Sequence, residues 1–260
     1  MVRASGEAAR RWREELAAWE IPPRIVAAAR ESPWGVPPEC FPPPTQQMSD
    51  TPSQRRALEV LPPGGTVLDV GCGSGAAGLA LAPPADRVVG VDESPDMLAA
   101  FATAAGERSI AYDVVAGRWP DAAADVASAD VVVSHHVSYN VPDLVPFAHA
   151  LSAHARNRVV LEMTARHPLV ALAPLWRHFH GLDRPAGPTS DLCRDVLAEA
   201  GCDVQMERCT APARPVPFEA RVAFTRKRLC LPVEREPEVA ALLRAEAPAP
   251  PRELVTLWWS

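Results

Sequence analysis

T-V-L-D-V-G-C-G-S-G-A-A-G-L-A-L-A, Thr66 to Ala82, is the stretch of this 260-residue chain from which the fold can be read. The apolar, β-branched run Thr66–Val70 reads as a strand, the glycines after it as a turn, and the small residues beyond as a helix. Glycines at 71, 73 and 75 permit positive φ and let the backbone approach a ligand, while the start of a helix offers unpaired N–H groups. A nucleoside cofactor fits such a place. Gly73, Gly75 and Gly78 also satisfy G-x-G-x-x-G, the dinucleotide fingerprint, so the glycines alone do not choose between cofactors. Asp69 chooses, because a carboxylate at the strand end suits a cationic amino group and repels a pyrophosphate.

Outward from this strand, apolar β-branched runs alternate with helical segments, the pattern of a parallel sheet covered on both faces. The expected strands are 66–70, 87–91, 110–115, 130–134, 158–163, 203–209 and 255–259. They give an α/β fold with a doubly wound, seven-stranded, mostly parallel sheet and helices on both faces. Before the sheet, helical spacing of Trp12, Leu16 and Trp19 predicts a helix over 7–20, and a second short helix is expected over 24–30. Residues 32–44 are proline-rich with Trp34 and Phe41 embedded, and read as an ordered wrap over the acceptor pocket. Thr51 as N-cap with Pro52 after it starts a further helix, and another runs from 189 to 200. Residues 218–229 alternate as a strand and repeat as a helix; helix is favoured, because the apolar V-T-L-W-W near 259 needs a sheet to enter. The expected organisation is therefore an N-terminal helical and proline-rich cap over 1–50, then a Rossmann-like domain over 51–260 with a helical insert at about 218–247.

Composition restricts the function. Hydrophobic residues make up 48% and charged residues 22%, which is globular composition. A net charge of -6 leaves no global basic field for a phosphate backbone, which disfavours nucleic acid as a partner. No run approaches the roughly 20 apolar residues of a membrane span, so a membrane partner is not expected and the cytoplasm is the expected compartment. Cysteines at 40, 72, 193, 202, 209 and 230 form no C-x-x-C pair and read as free thiols. The spacing leaves the oligomeric state open.

Asp92, in V-V-G-V-D-E-S-P-D-M-L at the end of the second strand, lies about 20 residues past the turn, where an acid can take both ribose hydroxyls. Together, V-L-D-V-G-C-G-S-G and V-G-V-D-E-S-P-D-M-L closely resemble the seven-stranded class I S-adenosylmethionine-dependent methyltransferases, in order and spacing from about 51 to 209. The resemblance implies S-adenosyl-L-methionine as cofactor, with a site at Asp69, Gly71, Gly73, Asp92 and Met97. Cys72, Gly75, Glu93, Gly117, Arg118, Trp119 and Ser134 complete the expected cofactor set. The chain departs from the family at the third strand: many members follow it with Gly-Asp, the Asp reaching adenine, whereas this chain reads A-G-R-W-P-D, 116–121. Trp119 either packs on the base or serves only as a core aromatic.

The methyl acceptor is expected after the fourth strand, at S-H-H-V-S-Y-N, 134–140, on the edge where ligands of such sheets bind. Neither the N/D-P-P-Y signature of base amino methylation nor a Pro-Cys nucleophile is present. His135 and His136 are the candidate bases, since imidazole titrates near neutrality. Trp34, Tyr139, Asn140 and His167 are the candidate acceptor contacts, and Glu162, Thr164 and His167 extend from the fifth strand towards the same edge. His178 and His180 with His167 would be a metal set, but no carboxylate or cysteine has matching spacing, so no metal is expected. The expected activity is methyl transfer to a small-molecule acceptor. The alternatives are a protein or RNA acceptor, an NAD(P)-dependent oxidoreductase, or a non-catalytic cofactor-binding protein.

Overall fold

The computed structural model describes residues 6–34, 50–212, 216–246 and 251–260. Trp12 drops to full burial on the first helix, α1 (Glu7–Ala17), and its indole N–H donates to the Val141 carbonyl at 2.8 Å. Short α2 (Pro23–Ala28) follows, and of the wrap expected over 32–44, residues 35–44 lie outside the described residues. Helix α3 (Pro52–Leu58) begins as the sequence predicts, with the Thr51 hydroxyl accepting from the Gln54 N–H and proline in the first turn.

The sheet is built from β1 (Thr66–Val70), β2 (Arg87–Asp92), β3 (Ala111–Ala116), β4 (Ala129–His135), β5 (Ala155–Thr164), β6 (Gln205–Ala211) and β7 (Arg252–Trp259). Its order is β3-β2-β1-β4-β5-β7-β6, with β7 antiparallel to both neighbours and the other pairings parallel. Helices α4 (Pro95–Glu107), α5 (Leu144–His154), α6 (Ala173–His180) and α7 (Ser190–Glu199) connect the strands, and α8 (Phe218–Arg228) and α9 (Glu236–Ala245) lie between β6 and β7. The 218–229 segment thus resolves as helix.

Strand alternation divides the core between two faces. Leu68, Val132 and Leu161 face Trp12 of α1, Phe147 of α5 and Val196 of α7. Val67, Val131 and Val160 face Ala57 of α3 and Phe101 of α4. Burying each such leucine, valine or phenylalanine contributes about 1.5–3 kcal/mol. A third cluster joins Trp176 of α6 with Val222 of α8 and Val239 of α9, beside the sheet.

One expectation is corrected at the glycine turn, where the small-residue segment forms consecutive turns and a single 3-10 stretch at Leu79–Leu81 in place of an α-helix. Gly73 and Gly75 take φ of +51° and +88°, outside right-handed helix, and the Gly78 N–H goes to the Asp69 carboxylate at 2.8 Å. Pro83 and Pro84 then close the segment.

Candidate cofactor and acceptor site

Chain order reverses between β1 and β4, and ligands of open α/β sheets bind where this happens, beyond the strand ends. Here the end of β1 turns sharply. Gly71, at φ +70°, and Cys72 both donate to the Val91 carbonyl, at 2.8 and 3.0 Å. A Cβ on Gly71 would meet the Val137 side chain at 2.4 Å, so only glycine passes there, whereas a Cβ on Gly73 would meet nothing within 4 Å. The Gly73 N–H donates to Asp92 Oδ2 at 3.0 Å, and Asp92 Oδ1 accepts from the Ser94 N–H at 2.9 Å. Asp92 therefore ties the end of β2 to the glycine turn.

Asp69 sits deeper than the sequence suggests. It is buried, and its Oδ2 holds the Gly78 amide. Burial pushes its pKa up to about 7, against the pull of the Gly78 hydrogen bond and helped by the charge of Asp92. The Cys72 thiol lies against Gly90, and burial drives its pKa up, which keeps it protonated.

A cavity of about 940 Å³ runs from this turn to the ends of β4 and β5. Of the expected cofactor set, Asp69, Gly71, Cys72, Gly73, Asp92, Glu93, Met97, Gly117, Arg118 and Trp119 line it. Gly75 and Ser134 do not. A Cβ on Gly75 would strike Leu79 and Phe101, which gives that glycine a packing reason, and the buried Ser134 hydroxyl donates to the Val70 carbonyl at 2.8 Å beneath the turn. Trp119 serves both readings in part, since it borders the cavity while it is buried edge-on against His154, ring centroids 4.9 Å apart.

At the other end of the cavity stand His135, His136 and Asn140. Trp34, Tyr139 and His167, the other expected acceptor contacts, lie elsewhere. Tyr139 is buried with its hydroxyl 2.6 Å from Thr164 Oγ1. His167 stacks on Trp19 at 4.1 Å, and burial, with Arg228 and Arg184 nearby, pushes its pKa down to about 4. Trp34 is 54% exposed, with the Arg228 guanidinium 5.4 Å from its ring. Packing claimed Tyr139 and His167: a ring beside a strand end is as useful to the core as to a ligand. His178 instead meets Glu238 at 3.1 Å and His180 the Leu229 carbonyl at 2.7 Å. Among the described residues no group of three His, Cys, Asp or Glu side chains could hold a metal ion.

The residues that sequence reasoning missed come from elements far apart in the chain. Thr51 and Ser53 of the α3 start, Glu207 of β6 and Arg252 of β7 also line the cavity. Glu207 is held by Arg55 at 3.2 Å and Arg56 at 2.8 Å, and Arg252 is half-buried, with burial lowering its pKa. No short motif carries them; only the strand order, with β7 inside the sheet, brings them together.

No helix among the described residues is long and apolar enough to cross a membrane. Residues 67–157 match the family model described as a methyltransferase domain. None of the curated proteins matches the chain. Solved structures share the fold. The YcgJ protein from Bacillus subtilis is 15% identical over 79% of this chain and 96% of its own, with a TM-score of 0.54. A protein solved in work on conversion of a disulfide bond into a thioacetal group during echinomycin biosynthesis is 18% identical over 91% and 90%, with a TM-score of 0.54. A putative sarcosine dimethylglycine methyltransferase from Galdieria sulphuraria is 16% identical over 80% and 82%, with a TM-score of 0.53. The match to a methyltransferase domain spans the glycine turn and β1 to β4, and the seven-stranded sheet around it has the fold of these solved structures.

Proposed function

We propose that this chain is a cytoplasmic enzyme that transfers the methyl group of S-adenosylmethionine to a small-molecule acceptor. The observation that carries the reading is one continuous cavity lined by an open glycine backbone, an acidic strand end and two histidines. S-adenosylmethionine, when bound, supplies an electrophilic methyl group on a sulfonium. The residues present fit it. Gly73 leaves space where a side chain would project, Asp92 offers a carboxylate for the ribose hydroxyls, and Met97 and Trp119 offer apolar cover for the base. Asp69 and the Gly71–Gly73 backbone form the floor near the amino-acid end. His135 or His136 would receive the proton of the acceptor. Because displacement at a methyl group is in-line, alignment of acceptor and methyl supplies much of the acceleration.

A small acceptor is favoured over nucleic acid because the net charge is -6 and the acceptor end carries Glu162 and Glu207 beside its arginines. The dinucleotide alternative is weakened by the sheet, since the dinucleotide fold orders its strands 3-2-1-4-5-6 and here the antiparallel β7 lies between β5 and β6. Thermal melting decides between cofactors. S-adenosylhomocysteine at about 100 times its Kd should stabilise the protein by about 2.7 kcal/mol. Stabilisation by NADH with none by S-adenosylhomocysteine would sink the reading. A labelled-methyl screen over metabolites then identifies the acceptor.

A further inference from the structure

His136 follows the last residue of β4 and takes φ +60°, a left-handed conformation that side chains rarely adopt. The turn folds it back onto one neighbour. Its N–H donates to the Glu162 carbonyl at 2.7 Å, and its ring Nε2 stands 3.3 Å from Glu162 Oε1. The second carboxylate oxygen, Oε2, accepts from the Ser53 hydroxyl at 2.6 Å, and that hydroxyl lies 2.9 Å from Thr51 Oγ1 at the start of α3. Thr51, Ser53, His136 and Glu162 all line the acceptor end of the cavity.

Glu162 is buried, which opposes its ionisation. The His136 ring at ion-pair distance, the charge of His135 and the Ser53 hydroxyl outweigh that and hold its pKa well below the usual carboxylate range. The other charged and titratable groups facing this end are Asp50 before α3, Arg55 in α3, Glu207 and Cys209 of β6 and Arg252 of β7. Arg55 and Arg56 neutralise Glu207, and His136 stands within ion-pair distance of Glu162. A buried anion thus faces a titratable ring. With Nε2 turned to the carboxylate, Nδ1 is the ring nitrogen left to face a ligand. A strained backbone held twice by one residue is the kind of outlier that points to function.

We propose that Glu162, fixed by Ser53, is the positioning residue that makes His136 the base of this site, and that the acceptor is a hydroxyl or a protonated amine. The proposal rests on the methyltransferase reading above. In the reaction the acceptor X–H bond breaks and its proton passes to His136 Nδ1. The freed electron pair forms the X–methyl bond as the methyl–sulfur bond breaks, leaving a neutral thioether. Glu162 offsets the charge that the imidazole gains. A thioether or tertiary amine acceptor would need none of this.

The test uses the full chain, labelled S-adenosylmethionine and the small-molecule fraction of a cell extract as acceptor source. Glu162→Gln and His136→Gln should each lower methyl incorporation by about tenfold or more, while calorimetric affinity for S-adenosylhomocysteine stays within about twofold. The loss in Glu162→Gln should fall on kcat with the KM for S-adenosylmethionine within about twofold, and the double variant Glu162→Gln/His136→Gln should be no slower than His136→Gln alone, because Glu162 acts through the ring. Ser53→Ala should give a smaller loss in the same direction. A purely structural glutamate would add its own loss to that of His136→Gln. Turnover within twofold of wild type in Glu162→Gln, or additive losses in the double variant, overturns the proposal while leaving the methyltransferase reading intact. Wild-type protein that binds no S-adenosylhomocysteine overturns both.

Discussion

At the scale of single residues, Asp69 and Asp92 are both acids at strand ends, and the fold treats them differently. The unfolded Asp69 carboxyl titrates near its ordinary 3.8 and the folded one near 7. Between those values the native state holds a proton that the unfolded chain has released. The stabilisation is therefore complete at low pH and is lost as pH rises through about 7. Asp69→Asn keeps an acceptor for the Gly78 N–H and removes the titration. In cofactor-free protein the variant should melt higher relative to wild type at pH 8 than at pH 5, and an equal difference at both would refute the argument. Asp92 is half-buried and lines the cavity, so its replacement should be read in binding. Asp92→Asn leaves one oxygen for the Gly73 and Ser94 amides and removes the charge. The loss of a charged acceptor should weaken S-adenosylhomocysteine by about 1.5–3 kcal/mol in calorimetric titration, and unchanged affinity would remove Asp92 from the proposed ribose site. Both acids were legible in the sequence as neighbours of the turn. That Asp69 would be occupied by Gly78 was not, because the link spans a turn whose path depends on Gly73 and Gly75 at positive φ.

At the scale of elements, α1 shows how a helix end is satisfied from a distance. Gly6, at its N-cap position, has no side chain to offer, and the Glu199 carboxylate at the end of α7 accepts from the Ala8 and Ala9 N–H groups at 2.9 and 3.1 Å. That carboxylate also meets the positive end of the helix dipole. Glu199→Ala should cost about 1 kcal/mol and raise amide exchange in the first turn of α1, with S-adenosylhomocysteine affinity unaltered. Exchange in that turn at the wild-type rate would show that the cap contributes nothing. The amphipathic spacing of α1, the cap of α3 and the helix at 218–228 were readable because each is a local pattern. The capping glutamate was not, since it lies about 190 residues away in sequence. The stretch after Gly75 was misread for the same reason: its small residues favour helix locally, but the Gly78 amide serves Asp69.

At the scale of the whole molecule, periodicity located each strand to within a few residues, yet gave no order for β6 and β7. The cavity wall that β6 and β7 supply depends on that order, which is why Glu207 and Arg252 escaped notice while the glycine turn did not. The same placement sets a timetable for assembly. The strand at 252–259 lies between β5 and β6, so β6, at 205–211, has no sheet to join until a segment synthesised well after it has been delivered. As the chain leaves the ribosome, β1 to β5 can pair with neighbours already made, while β5 keeps an open edge and β6 waits unpaired. The cavity wall that β6 and β7 supply is then completed only after the glycine turn and its neighbouring strands are in place, so the two ends of one cavity are assembled at different times.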